Sequence, residues 1–177
     1  MPSRPLSLLR VHPSPLDRRR GRLVVGGASF PCALGRAGIT RVKREGDGAS
    51  PIGRFPLIGG YFRPDRIARP RTGLRLAPTR PGDGWCDAPG DRRYNRPVRL
   101  PYPASCEAMW RDDRVYDVVV DIAWNRGPVR PGRGSAIFLH LARPGFEPTA
   151  GCVAVDRRVI ERILARVGPR TRIWIRG

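Results

Sequence analysis

The sequence contains almost no lysine. Lys43 is the only one, so the formal net charge of +19 comes almost entirely from arginine. A charge of this size favours contact with polyanions such as nucleic acid, anionic lipid or cell-wall polymers. The arginines are scattered, and the one dense cluster is Arg18-Arg19-Arg20 with Arg22. Because no zinc finger, helix-turn-helix or aromatic RNA-binding signature accompanies it, we expect no specific nucleic acid partner.

Histidine and closely spaced cysteines are also scarce. There are two histidines, and Cys32, Cys86, Cys106 and Cys152 include no C-x-x-C pair. The usual zinc-binding spacings cannot be completed, so we expect no metal. Cys86 and Cys106 can either form a disulfide in an oxidising compartment or remain reduced, partly buried thiols.

Long uninterrupted apolar runs are missing too. Near the N-terminus, Leu6, Leu8 and Leu9 are interrupted by Ser7 and followed by a charged residue. This stretch is too broken for the apolar region of a signal peptide, and no other run is long enough to cross a membrane. We therefore expect no membrane span, and we expect residues 1–21 to form a basic N-terminal arm that can be disordered.

Glycine and proline, in contrast, are abundant, with 21 and 20 residues in a chain of 177. Frequent turns favour short strands over long helices, so the composition predicts a mainly β fold with one or two short helices. The length suits one domain with a substantial core. Two apolar stretches flank Gly26-Gly27 and predict a hairpin, and the alternating residues 171–176 predict a final strand with one buried face.

The segment 59–115 combines many helix breakers with several aromatic residues, which excludes a long helix. Trp85 and Tyr94 make it a candidate lid or substrate-binding wall, although a surface loop packed by its own aromatic side chains fits equally well. The β-branched run 115–124 predicts a central strand. Asn125 at its end either faces substrate or simply forms the turn.

One histidine and one cysteine come close together in the stretch 136–155. The apolar run before His140 predicts a buried strand, and a loop containing Pro144 and Pro148 turns the chain back toward Cys152. A thiol becomes a strong nucleophile as the thiolate, and a neighbouring imidazole can accept its proton. The pair therefore predicts a cysteine active site, with Cys152 as nucleophile and His140 as base.

The residues around Cys152 fit this hypothesis. Gly151 leaves room for a substrate carbonyl near the sulfur, and the backbone amides of Gly151 and Cys152 are candidate oxyanion donors. The Thr149 hydroxyl can either hold the loop or orient His140, and Asp156 is a candidate N-cap for a short helix. Taken singly, a buried cysteine is usually a core residue and a strand histidine is usually structural, so the prediction depends on the combination.

Two separated motifs lie in this chain: the strand histidine followed by TAGCV at 149–153, and upstream the segment DGASPIGRFPL at 47–57. Together they resemble the signatures of the YkuD-type L,D-transpeptidase catalytic domain, and the resemblance covers residues 22–177. It implies a β-sandwich or barrel-like catalytic domain with a loop-rich insertion at about 59–115.

The resemblance implies peptidoglycan chemistry. In that family a cysteine attacks the stem tetrapeptide of a donor, releases its terminal D-alanine and passes the acyl group to an amine of another stem, without metal or organic cofactor. For this chain it implies catalytic roles for Cys152 and His140. It also implies a role in bacterial peptidoglycan biosynthesis, cell-wall organisation and cell shape. The location it implies is the periplasm or cell envelope, although the sequence shows no signal peptide. We expect a monomer.

Three positions depart from the family pattern. Leu141 stands where glycine is usual, Thr149 replaces serine, and Ala154 replaces a common arginine, for which Arg157 or Arg158 could substitute. The last departure keeps one alternative open, an L,D-carboxypeptidase or amidase that resolves the acyl-enzyme with water. The net charge of +19 keeps a second one open, a non-catalytic basic module that binds the envelope or nucleic acid.

Overall fold

The computed structural model describes residues 5–177, which form a mainly β structure with one short α-helix in this range. The strands are β1 (Leu8–Pro13), β2 (Arg20–Val25), β3 (Ala28–Ala33), β4 (Ile39–Thr40), β5 (Ser50–Pro51), β6 (Gly53–Pro56), β7 (Gly60–Phe62), β8 (Leu76–Pro78), β9 (Asp83–Cys86), β10 (Arg96–Arg99), β11 (Cys106–Ala108), β12 (Val118–Asp121), β13 (Phe138–Leu141), β14 (Val153–Val155) and β15 (Arg172–Ile175). The helix is α1 (Arg157–Leu164), and a 3-10 turn spans Pro144–Phe146.

Ten of these strands make one curled sheet, a half-barrel in the order β6-β15-β1-β2-β3-β14-β13-β12-β7-β8. A three-stranded sheet, β10-β9-β11, and a two-stranded sheet, β4-β5, complete the described strands. The mainly β architecture predicted from composition is therefore confirmed. In the large sheet, β13 pairs antiparallel with β12 and parallel with β14.

Several local predictions are also confirmed. β2 and β3 form the expected hairpin, with Val25 opposite Ala28 and with positive φ values of 56° and 91° at Gly26 and Gly27. The Asp156 side chain accepts a hydrogen bond from the Arg158 amide at 2.9 Å and caps α1. The final strand, β15, alternates exposed and buried residues as the pattern predicts.

The N-terminal region differs from the prediction of an arm. β1 lies inside the large sheet, parallel to β15 on one side and antiparallel to β2 on the other. Leu9 and Val11 are fully buried, since alternate side chains of this strand face the main core. In the sequence, the interruption at Ser7 and the prolines at positions 13 and 15 obscure this two-residue period. Residues 1–4 of the predicted arm lie outside the described residues.

The segment 59–115 is also more regular than expected, because it contains the five strands β7 to β11. β7 extends the large sheet by pairing with β12, and β8 forms its edge. β9 lies between β10 and β11 in the small sheet. The aromatic residues of this segment therefore belong to structured elements and not to a free surface loop.

Strand alternation divides the residues of β13 between two apolar clusters. Leu139 and Leu141 pack into the main core with the apolar side of α1. Phe138 belongs to a smaller cluster that also contains Trp85 and Cys152. His140 follows Phe138 by two residues and therefore points to the same side of the strand as this smaller cluster.

Candidate active site

The strand β13 places His140 in the middle of the large sheet. His140 lies opposite Val119 on β12 and beside Ala154 on β14. Its ring meets the Tyr116 ring edge to face, with centroids 5.3 Å apart. The side chain is only 6 % exposed, so the surrounding strands hold its orientation.

Cys152 sits directly before β14, on a turn held by Thr149. The Thr149 hydroxyl accepts a hydrogen bond from the Gly151 amide at 3.1 Å and donates one to the Cys152 carbonyl at 2.7 Å. Gly151 has φ of +140°, and a Cβ at this position would lie 2.8 Å from the carbonyl oxygen of Ala49. The turn therefore needs both the hydroxyl and the glycine. Of the two roles considered for Thr149, the contacts match holding the loop.

The two sequence motifs meet at this turn. Ser50, from the upstream motif, is fully buried, and its hydroxyl accepts a bond from the Gly35 amide at 3.0 Å. The same hydroxyl lies 3.5 Å from the Cys152 carbonyl and can donate to it. The Asp47 carboxylate holds its own loop by accepting from the amides of Arg44 and Ala49. The segment 47–57 thus supports the backbone of the cysteine turn from behind.

The Cys152 sulfur lies between two backbone groups of the chain before His140. The Phe138 amide donates to Sγ at 3.3 Å, and the thiol donates to the Ala136 carbonyl at 3.2 Å. Burial raises the pKa of the Cys152 thiol to about 12, and the nearby Glu107 carboxylate adds to this rise. The Phe138 hydrogen bond and the charge of Lys43 act in the opposite direction. The resting side chain is therefore a thiol at neutral pH.

The protonation of His140 follows from its hydrogen bond. Nδ1 lies 2.9 Å from the Leu141 carbonyl oxygen, which can only accept, so Nδ1 carries the proton. Burial lowers the pKa of the imidazole to about 4, the bond to Leu141 opposes this fall, and the charges of Arg111 and Arg143 add to it. Hence the imidazole is neutral at pH 7 with its lone pair on Nε2. Within residues 5–177 no hydrogen bond uses Nε2.

Cys152 and His140 line the same cavity, whose volume is about 570 Å³. Among the described residues no hydrogen bond joins the two side chains directly. Because the thiol and the imidazole are both neutral at pH 7, the cavity contains no preformed thiolate–imidazolium pair. Thr149 and Ala154 also line this cavity.

The backbone amide of Gly151 is less available than the oxyanion hypothesis requires, because it already donates to Thr149. The amide that contacts the sulfur belongs instead to Phe138. The apolar run before His140 is the sequence signal for this contact. Residues 136–138 precede His140 in the same segment, and their backbone passes the Cys152 sulfur.

The three residues predicted to bind substrate do not line the cavity. Trp85 is 1 % exposed and donates through Nε1 to Asn95 at 2.9 Å. The Tyr94 hydroxyl donates to Glu45 and accepts from the Gly134 amide at 2.9 Å. Through these contacts, both aromatic residues stabilise the chain segments behind the cavity.

Asn125 has the turn-forming role that was the alternative to substrate contact. Its side chain donates to the carbonyls of Arg130 and Gly134 at 2.9 and 3.0 Å and accepts from the Arg130 amide at 2.7 Å. With φ of 51°, it adopts a conformation that asparagine tolerates better than most residues. Both N–H groups of its side-chain amide are thus engaged by the loop.

Sequence reasoning missed several cavity residues. Glu107, Arg111, Tyr116 and Lys43 all line it. The Tyr116 hydroxyl donates to Glu107 at 2.6 Å, and burial raises the pKa of Glu107. The single lysine was a signal that went unused: Lys43 is 2 % exposed and pairs with Asp47 at 2.5 Å.

The family model of the L,D-transpeptidase catalytic domain, YkuD, matches residues 16–175. This chain belongs to the L,D-transpeptidase family. Comparison with curated proteins finds none that matches it. Membership in the L,D-transpeptidase family connects the chain with peptidoglycan and with the cell envelope.

The position of Ala154 shows how this L,D-transpeptidase domain differs around the missing arginine. Arg157 pairs with the buried Asp117 at 2.7 Å and does not line the Cys152 cavity, and Arg158 is exposed. Neither therefore replaces the arginine. Arg111 and Arg143, which come from other parts of the chain, line the cavity together with Ala154.

Within residues 5–177, no group of three or more His, Cys, Asp or Glu side chains is placed to hold a metal ion. The same part of the chain contains no helix with the length and apolar character needed to span a membrane.

Proposed function

We propose that the protein is a cysteine-dependent L,D-transpeptidase that acts on peptidoglycan stem peptides in the cell envelope. The observation that carries the proposal is the shared cavity, which is lined by Cys152 and by the neutral imidazole of His140, whose Nε2 makes no hydrogen bond within residues 5–177. Family membership supplies the class of substrate.

In the first half-reaction, the Cys152 sulfur attacks the carbonyl carbon that precedes the terminal D-alanine of a stem tetrapeptide. The thiol proton passes to Nε2 of His140, and the protonated imidazole then gives it to the leaving amine. The carbon–nitrogen bond breaks, D-alanine leaves, and a thioester remains. The Phe138 N–H, which already contacts sulfur, favours negative charge there as the proton departs.

Proton transfer must accompany the attack. With pKa values of about 12 for Cys152 and about 4 for His140, moving the proton before substrate binds costs on the order of 10 kcal/mol. A substrate that fills the cavity and lets sulfur bond to carbon as the proton leaves avoids this separate step. We therefore infer a resting enzyme without a thiolate–imidazolium pair.

In the second half-reaction, an amine of another stem attacks the thioester carbonyl. His140 takes a proton from this amine and returns it to sulfur, so the free thiol is restored and a new amide is formed. Thr149 and Gly151 act as positioning residues through the turn that fixes Cys152. No metal or organic cofactor enters either step.

Hydrolysis of the same thioester is the second candidate. The small Ala154 side chain lines the cavity where the family usually carries arginine, and it offers no charged group to anchor an acceptor stem. Water would then compete with the amine, giving L,D-carboxypeptidase or amidase activity.

Purified protein incubated with disaccharide tetrapeptides, with and without an added amine acceptor, tests the proposal. Mass analysis should show loss of D-alanine and formation of a cross-linked product when the acceptor is present. Trimmed stems alone would support hydrolysis. Cys152→Ala should lose all products, while Cys32→Ala serves as the matched control for removing a buried thiol elsewhere.

A thiol-directed carbapenem separates an enzyme from a binding module. We expect an acyl adduct on Cys152 that is absent in Cys152→Ala and retained in His12→Asn, which removes the other histidine of the chain. A folded protein that forms neither adduct nor product would overturn the enzymatic proposal and favour the non-catalytic basic module.

A further inference from the structure

Two further thiols face each other beside the active-site cavity. Cys86 on β9 and Cys106 on β11 are direct partners in an antiparallel pair. Cys86 is fully buried, whereas Cys106 is partly exposed, and all four cysteines of the chain are free in this structure.

The hydrogen-bond pattern fixes the type of pairing at this position. The Asp87 amide donates to the Ser105 carbonyl at 3.2 Å, and the Met109 amide donates to the Asp83 carbonyl at 2.9 Å. Hydrogen-bonded and non-hydrogen-bonded pairs alternate along antiparallel strands, so the pair between Cys86 and Cys106 is non-hydrogen-bonded. Such pairs bring Cα atoms to about 4.5 Å, at the short end of the roughly 4.4–6.8 Å that disulfides span.

The sulfur atoms also interact with each other. Burial raises the pKa of the Cys106 thiol to about 11, and the neighbouring Cys86 thiol adds to this rise. The Cys106 thiol lies 3.4 Å from the Ala104 carbonyl oxygen as well. Proximity is therefore present in the side chains and not only in the backbone register.

We propose that Cys86 and Cys106 form a cross-strand disulfide when the protein meets a disulfide donor, such as an oxidising protein disulfide or oxidised glutathione. The more exposed Cys106 thiolate attacks the donor disulfide, forms a mixed disulfide and releases one donor thiolate. The Cys86 thiolate then attacks the Cys106 sulfur and expels the second donor thiolate. The two cysteines are oxidised by two electrons, the donor is reduced to two thiols, and the two cysteine protons are released to solvent or to these thiolates.

The bond would join elements of the cavity wall. Glu107 follows Cys106 on β11, Asp87 follows Cys86 after β9, and both line the Cys152 cavity. The linkage would fix the spacing of these acidic side chains. It does not depend on the proposed enzymatic activity, and its detection requires no substrate.

Peptide mapping tests the bond directly. The folded full chain is incubated with oxidised glutathione, quenched in acid, unfolded, alkylated and digested with trypsin. We expect peptides 76–92 and 100–111 to be linked, and Cys32 and Cys152 to be alkylated. Because the Cys106 thiol has a high pKa, the linkage should form roughly ten times faster at pH 8.5 than at pH 7.5.

Controls separate proximity in the fold from general oxidation. Cys86→Ser should retain glutathione on Cys106, because the resolving thiol is missing, while Cys32→Ser should form the normal linkage. The unfolded chain in concentrated guanidinium should give several pairings, a comparison that needs no variant to fold. Alkylation of both Cys86 and Cys106 in the oxidised wild type at both pH values would overturn the proposal, and so would a stable glutathione adduct on its Cys106.

Thermal unfolding adds a second readout. The oxidised chain should unfold at a temperature about 5–10 °C higher than the reduced chain, since the bond closes a loop of about 20 residues. A lower unfolding temperature after specific linkage would show that the bond strains the folded sheet, and it would contradict the stabilisation expected here.

Discussion

The buried, neutral state of His140 predicts a specific dependence of stability on pH. In the unfolded chain the imidazole takes a proton near pH 6.5, whereas in the folded protein it does so only near pH 4. Between these values the unfolded state binds more protons, so the free energy of unfolding increases as pH rises and decreases as pH falls. Between pH 7.5 and pH 4.5, the titration of His140 should lower the free energy of unfolding by about 2.5 kcal/mol.

Urea unfolding of the wild type and of His140→Asn measures this contribution. Asparagine does not titrate, so the wild type should lose about 2.5 kcal/mol more than the variant over the same pH range. Carboxylates titrate in both proteins and cancel in the comparison.

In the proposed mechanism, the same titration sets the acid limb of activity. The pH dependence of kcat/KM reports essential groups of the free enzyme, so the rate should fall as pH drops through about 4 and not through 6.5. Equal stability losses in the wild type and His140→Asn, together with an acid limb near 6.5, would refute the buried neutral base.

Three further substitutions test the site. Thr149→Val removes both hydrogen bonds of the Thr149 hydroxyl, so it should lower the free energy of unfolding by about 1–3 kcal/mol and reduce kcat. Thr149→Ser keeps the hydroxyl and should retain wild-type stability in urea unfolding and wild-type kcat in turnover assays. Gly151→Ala places a Cβ 2.8 Å from the Ala49 carbonyl oxygen in a strained conformation and should lower stability by about 1–3 kcal/mol; an unchanged unfolding midpoint would contradict this contact. Trp85→Phe loses a buried hydrogen bond and should lower the free energy of unfolding by about 1–3 kcal/mol without changing KM. A large rise in KM would indicate instead that Trp85 contacts the substrate.

Local patterns predicted the elements whose signals are contained within a few residues. The Gly26-Gly27 turn needs positive φ, the Asp156 cap needs a nearby amide, and β15 needs a two-residue period. Each requirement can be evaluated without knowing the rest of the fold. That His140 and Cys152 line one cavity was accessible for a similar reason, because one short loop separates β13 from the turn before β14.

Environments that depend on distant partners were not accessible in this way. Trp85 looked like a substrate-binding aromatic, but its burial follows from packing against Phe138, more than fifty residues later in the chain. Asn125 could not be assigned until the loop that accepts its hydrogen bonds was located. The low pKa of His140 likewise arises from burial by several strands, which the sequence does not specify locally.

The position of β1 has a practical consequence for studying this protein. The family match begins at residue 16, after β1 has ended, yet β1 lies between β2 and β15 in the interior of the sheet. A recombinant fragment trimmed to the matched range would separate those two neighbours and leave their backbone edges open to intermolecular strand pairing. Samples intended for kinetics or crystallisation should therefore retain the residues before position 16, and an affinity tag should be joined through a spacer ahead of Leu8.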